Sequence, residues 1–264
     1  MLHVERRGGA LVATLARPPV NAIDAALLGR LDELVAEAEA DASVSLVHLR
    51  GSERAFCAGA DLALMRACLT GGGSETMVDL VRRMQRVFAR LEHAPFVTLA
   101  EIEGAAFGGG LELALACDLR VAALDAKLGL PEVALGLLPA AGGTQRLTAL
   151  CGAAVARRLI LGGETIDGAE ALRLGVVQWS HPASELAEWT AALATRIAAY
   201  PREALAASKR CILLAGQLSS AGFAAEVSAT RRLYASPQTL ERVSAFLERP
   251  RTARYDGGAD AESE

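Results

Sequence analysis

One local pattern occurs twice in this chain and limits what it can fold into: a short apolar strand, a glycine-rich turn, then a helix. In the later copy, strand Phe96–Ile102 leads into Gly104-Ala-Ala-Phe-Gly-Gly-Gly110, which opens a helix over Leu111–Cys117. In the earlier copy, Leu46–Leu49 leads into the Gly/Ala-rich loop Gly51–Asp61. A helix capped by Ser74 follows, with Met77, Leu80, Val81, Met84, Val87, Phe88 and Leu91 on its inner face. Strands alternating with helices in this way predict an α/β fold.

The flanking segments agree with that class. Leu2–Arg6, a Gly8-Gly9 turn and Leu11–Leu15 read as a hairpin. Pro18-Pro19 forces a loop, and Asp24 caps a helix that carries Leu27, Leu31, Leu34, Val35 and Ala38 on one face. From about residue 184 the periodicity is helical throughout, with helices starting at Pro201 and at Ser236-Pro237, the last one stopped by Pro250. The expected organisation is a core over 1–195, a helical region over 196–256 and a disordered polar tail over 257–264.

Composition excludes several classes. A 264-residue chain with 52% hydrophobic and 22% charged residues is too apolar to be disordered and long enough to bury a core. Its net charge of −4 argues against a general nucleic-acid surface, and 4% aromatics argue against base-stacking platforms. Five scattered cysteines and four scattered histidines show no metal-ligand spacing, so reduced thiols, a cytoplasmic location and no metal are expected. The apolar Ala10–Ala16 is too short and wrongly flanked for a signal core, and no run is long enough to span a membrane.

The chain has no G-x-S-x-G elbow, phosphate loop or dinucleotide fingerprint. What remains is the helix behind the triple glycine. Its N-terminal N–H groups lack intrahelical partners, and glycine lets a ligand oxygen approach them, which suits a developing oxyanion. Ala58-Gly59-Ala60 offers a second set of backbone donors. Glu112 and Glu132 then stand in first helical turns, where a glutamate ordinarily serves the helix dipole. Two carboxylates beside a carbonyl-polarising site are also what acid–base chemistry at the α and β carbons needs. Taken residue by residue, both readings stay open.

Four motifs in order tip the balance. Arg54-Ala-Phe-Cys-Ala-Gly-Ala-Asp-Leu62, Gly104-x-x-x-Gly-Gly-Gly-x-Glu-Leu-Ala114-x-x-Cys-Asp118, Gly129-x-Pro-Glu132-x-x-Leu-Gly136 and Gly142-Gly-Thr-Gln-Arg-Leu147 resemble the enoyl-CoA hydratase/isomerase (crotonase) superfamily. The resemblance runs from Pro19-Val20-Asn21-Ala22 to Ala245-Phe246-Leu247-Glu248. It implies a spiral of ββα units forming two roughly perpendicular sheets, with a C-terminal helical region used for trimerisation, as a homotrimer or dimer of trimers. It implies an acyl-CoA thioester substrate, with coenzyme A as part of that substrate and no separate cofactor.

The same resemblance implies the site. Backbone N–H groups of Ala60 and Gly109 match the oxyanion hole, with Gly59, Asp61, Gly108 and Ala140 around the substrate. Glu112 and Glu132, 20 residues apart, match the paired acid–base residues of hydratases. Arg54 matches a basic position near the nucleotide, and Ala58 one whose backbone meets the adenine. Lys209 is a further phosphate candidate, and Leu64, Met65, Cys68 and the loop to Ser74 are candidates for the acyl wall. Two departures stand out. Ala140 replaces a glycine common in the family and would fit badly at positive φ. Glu101 and Glu103 read as solvated strand-end charges. Hydration of a 2-enoyl-CoA is the first expectation, and isomerisation with the same oxyanion hole is the alternative. An RNA-binding role, known in one branch of the superfamily, wants a lysine-rich helix that the outer helices here lack. Retention of both glutamates argues against a non-catalytic subunit.

Overall fold

The computed structural model of the chain describes residues 1–52, 55–215 and 220–248. Arg54, Pro250 and the tail expected over 257–264 lie outside the described residues. The hairpin of β1 (Leu2–Arg7) and β2 (Ala10–Leu15) is antiparallel. Asp24 accepts from the Leu27 N–H and opens α1 (Ala25–Ala40), which buries the expected leucine face. Strands β3 (Leu46–Gly51) and β4 (Ala55–Cys57) follow, then α2 (Leu62–Thr70) and α3 (Ser74–His93). Ser74 is the first residue of α3 and not its cap; Gly73 takes the cap position without a side-chain bond.

The second half repeats the scheme. Strands β5 (Val97–Ile102) and β6 (Ala105–Phe107) lead to α4 (Gly109–Leu115), which begins two residues earlier than the sequence suggests. Then come β7 (Leu119–Ala123), β8 (Lys127–Gly129), a 3-10 turn over Pro131–Leu135, and α5 (Gly143–Leu161). The core closes with β9 (Thr165–Asp167), α6 (Gly168–Arg173), β10 (Trp179–His181) and α7 (Ala183–Ala198). One sheet has the order β1-β2-β3-β5-β7-β10, parallel except for the hairpin, and the other has the order β4-β6-β8-β9. A division into two sheets is what the resemblance implies.

Burial corrects one expectation. Glu101 is not solvated: its Oε2 lies 3.0 Å from Nε2 of His48, with both side chains only 4% exposed. It sits on β5 in the interior of the larger sheet, where both faces are covered and strand alternation no longer separates polar from apolar. Glu103 is exposed, as expected. Cys57 and Cys117 are buried thiols, pushed up to about 12 by that burial, and all five cysteines are free.

The helical region consists of α8 (Arg202–Ala215), α9 (Ser220–Tyr234) and α10 (Pro237–Glu248). It does not project away from the core. Helix α9 packs on α3, and α10 packs on α2 and on the 3-10 turn. Lys209 on α8 is buried, and its ammonium donates to the carbonyls of Leu91 and Phe96 and to Asp118 Oδ2 at 2.8–3.0 Å. Three acceptors use all three donors of an ammonium, so Lys209 is a structural ion pair and not a phosphate ligand. Among the described residues, no helix is long and apolar enough to cross a membrane.

Candidate active site

The two glycine-rich turns meet because particular side chains are missing. A β-carbon on Gly110 would lie 1.9 Å from the Cys57 carbonyl oxygen, so only glycine lets α4 approach β4 so closely. Gly59 has φ +97°, and a β-carbon there would stand 2.9 Å from the Phe107 carbonyl and 3.2 Å from the Gly109 nitrogen. The Ala60 nitrogen is 3.5 Å from the point a Gly109 β-carbon would occupy. The Ala60 and Gly109 backbone nitrogens therefore lie close together beside one small space. Gly109 is the first residue of α4 and has no intrahelical acceptor for its N–H. The bridge between Ile23 and Ala60 uses the Gly59 carbonyl and the Asp61 N–H, so the Ala60 N–H lies outside it.

The loop that carries Ala60 is held from both sides. The Asn21 amide, 1% exposed, donates to the carbonyls of Ala55 and Phe56. Asp61 caps α2 through the N–H groups of Ala63 and Leu64 and pairs with Arg17 at 2.7 Å. Burial pushes the Asp61 carboxyl up, but those N–H groups and the Arg17 guanidinium outweigh it and hold it below the usual range. Asp61 therefore braces the loop that carries Ala60 and is not among the residues that line the cavity described below.

Both expected carboxylates reach the same place. Glu112, 3% exposed on α4, accepts through Oε1 from the N–H groups of Ala141 at 2.8 Å and Gly143 at 2.7 Å. Gln85 on α3 donates to the Ala140 carbonyl at 2.8 Å, which fixes that donor loop. Ala140 fits without strain: among the described non-glycine residues only Asn21 has positive φ, and the left-handed position of this loop falls on Gly142 at φ +112°. Pro131 starts the 3-10 turn, and Glu132 follows with Oε1 3.0 Å from where a Gly108 β-carbon would be. Gly108, with φ +50°, thus leaves room for the Glu132 carboxylate over the turn that opens α4.

These groups share a cavity of about 560 Å³. Ala58, Gly59, Ala60, Gly108, Gly109, Glu112, Glu132 and Ala140 all line it. Its walls are apolar, with Leu62, Met65, Val81, Met84 and Leu135 prominent. Of the candidates for the acyl wall, Met65 is confirmed as a lining residue, while Leu64 is exposed and Cys68 packs against the core. Sequence reasoning missed the contribution of the C-terminal helices: Thr230 and Tyr234 from α9 and Phe246 from α10 close the cavity. Tyr234 is 7% exposed, and burial, then the charges of Glu112 and Glu132, push its phenol well above the usual range.

Comparison with known proteins agrees with this arrangement. Residues 5–257 match the sequence profile of the family described as Enoyl-CoA hydratase/isomerase. The chain is 35% identical over 258 residues to the 2,3-dehydroadipyl-CoA hydratase of Escherichia coli (strain K12), covering 97% of this chain and 98% of that protein. It is 34% identical over 249 residues to the short-chain-enoyl-CoA hydratase of Clostridium acetobutylicum, covering 93% and 94%. Its fold matches the crystal structure of an enoyl-CoA hydratase from Bacillus halodurans with a TM-score of 0.86, at 26% identity over 92% of this chain and 99% of that one. Two-sheet topology, profile and near full-length relatives converge, and the chain belongs to the enoyl-CoA hydratase/isomerase (crotonase) family.

Proposed function

We propose that this enzyme adds water across the 2,3 double bond of a 2-enoyl-CoA to give the 3-hydroxyacyl-CoA. The observation that carries the reading is that Glu112 and Glu132 line one cavity together with the Ala60 and Gly109 backbone. The thioester oxygen binds the two N–H groups, and electron density drawn towards it makes the β carbon electrophilic. Glu112, fixed by the Ala141 and Gly143 N–H groups, orients and activates the water. Glu132 exchanges the proton at the α carbon. The apolar walls favour an acyl chain without charge, and the acyl-CoA substrate together with five free cysteines fits a cytoplasmic enzyme.

Isomerisation of a 3-enoyl-CoA needs only one of the two carboxylates, and retention of both favours hydration. The assay separates the two. Loss of the conjugated thioester absorbance with crotonyl-CoA reports hydration, and its appearance from a 3-enoyl-CoA reports isomerisation. Glu132→Gln is expected to lower kcat for hydration by roughly 10²–10⁴-fold while acyl-CoA binding survives. Full hydratase turnover in that variant would remove Glu132 from the mechanism.

A further inference from the structure

Two ionised carboxylates can only accept hydrogen bonds. A water held between Glu112 and Glu132 therefore donates both hydrogens to them, and its oxygen lone pairs face the β carbon and one further donor. The reverse reaction makes the same demand more strongly, because the departing oxygen gains negative charge. The Ala141 and Gly143 N–H groups already serve Glu112. The C-terminal helix α9 supplies two hydroxyl side chains to this cavity, Thr230 and Tyr234. They stand four residues apart and so share one helix face. Thr230 is 2% exposed, and its Oγ1 has no hydrogen-bond partner.

Tyr234 is the longer of the two side chains. Its side chain is buried in the core cluster, yet it lines the same cavity as both glutamates. We propose that the Tyr234 hydroxyl is a third polar group of the reaction site, donating a hydrogen bond to the oxygen that joins or leaves the β carbon. This assignment rests on the hydratase reading above. In hydration one O–H bond of water breaks, a C–O bond forms at the β carbon and a proton passes to the α carbon by way of a glutamate. Tyr234 keeps its own proton throughout. Burial, and after it the charges of the two glutamates, keep the phenol protonated and available as a donor.

The test is Tyr234→Phe in the full chain, which removes one oxygen and keeps the ring that packs the helix. Two reactions are followed: hydration of crotonyl-CoA, and exchange of the α hydrogens of butyryl-CoA in heavy water, which uses the oxyanion hole and a glutamate but no β oxygen. Hydration kcat is expected to fall about 10- to 100-fold, with KM within about twofold, while the exchange rate falls far less. A role in packing alone would lower both reactions together and shift the melting temperature. Parallel loss of both, or unchanged hydration in Tyr234→Phe beside an active wild type, overturns the assignment and leaves the hydratase reading standing. A wild type that hydrates no enoyl-CoA overturns both.

Discussion

Gly110 shows how much of the site depends on an atom that is not there. Its α carbon faces the Cys57 carbonyl, and the 1.9 Å approach of an added β-carbon is to backbone, which has no flexible end to move aside. Gly110→Ala is therefore expected to push α4 away from β4 and pull the Gly109 N–H out of register with that of Ala60. The expected outcome is a loss of about 2–4 kcal/mol in stability and at least a 100-fold loss in kcat, measured by denaturant unfolding and steady-state assay. At this scale the sequence was readable. Gly109, Glu112 and Glu132 sit in short motifs whose spacing survives folding, and each lands at the cavity. Lys209 misled because charge in a helix says nothing about whether that helix face meets solvent or Asp118. Glu101 misled for a similar reason, since only sheet order reveals that β5 is an interior strand.

Among the elements, α8 is anchored to the core by Arg202, which donates to the carbonyls of Ala38, Asp41 and Pro95, and by one ion pair. Lys209 and Asp118 meet at 2.8 Å, and Asp118 also accepts from the Thr98 N–H and hydroxyl. Burial is the main influence on the Asp118 carboxyl and pushes it above its usual value, even with the ammonium beside it. Lys209→Met removes the ammonium bonded to Asp118 and is expected to cost about 3 kcal/mol at pH 8. The sign of the pH effect follows from the raised carboxyl. A group whose folded value exceeds its unfolded value stabilises the fold at low pH and loses that contribution as pH rises through the folded value. The variant should therefore recover part of its stability between pH 8 and pH 5, as read by urea unfolding at each pH, while the wild type changes less. Helices α9 and α10 make the complementary point. Their periodicity was legible, but the surfaces they cover were not, because Tyr234 and Phe246 reach the cavity only through docking on α3, α2 and the 3-10 turn.

On the scale of the whole molecule, several large apolar side chains stand in solvent on one chain. Leu161 is 69% exposed at the end of α5 and Ile212 is 72% exposed on α8, with Leu150 and Leu172 also outside the core. Such side chains are ordinary singly, but together with the helical region they suit contact between copies. A homotrimer or dimer of trimers is the expected assembly, so sedimentation should give three or six times the 27.5 kDa of one chain. A monomer at micromolar concentration would refute it. The α/β class was accessible from sequence because strand, glycine turn and helix recur locally, whereas the two-sheet plan followed only from the family resemblance. Closure of the cavity was not, since it joins residues from opposite ends of the chain.

That closure has a consequence for how the enzyme comes into being. The cavity takes Ala58 from the first quarter of the sequence and Phe246 from close to its end. During synthesis the glycine-rich loops, Glu112 and Glu132 emerge from the ribosome well before the helices that wall the cavity. The cavity as it stands in the folded chain is therefore complete only once α9 and α10 have been made and have docked.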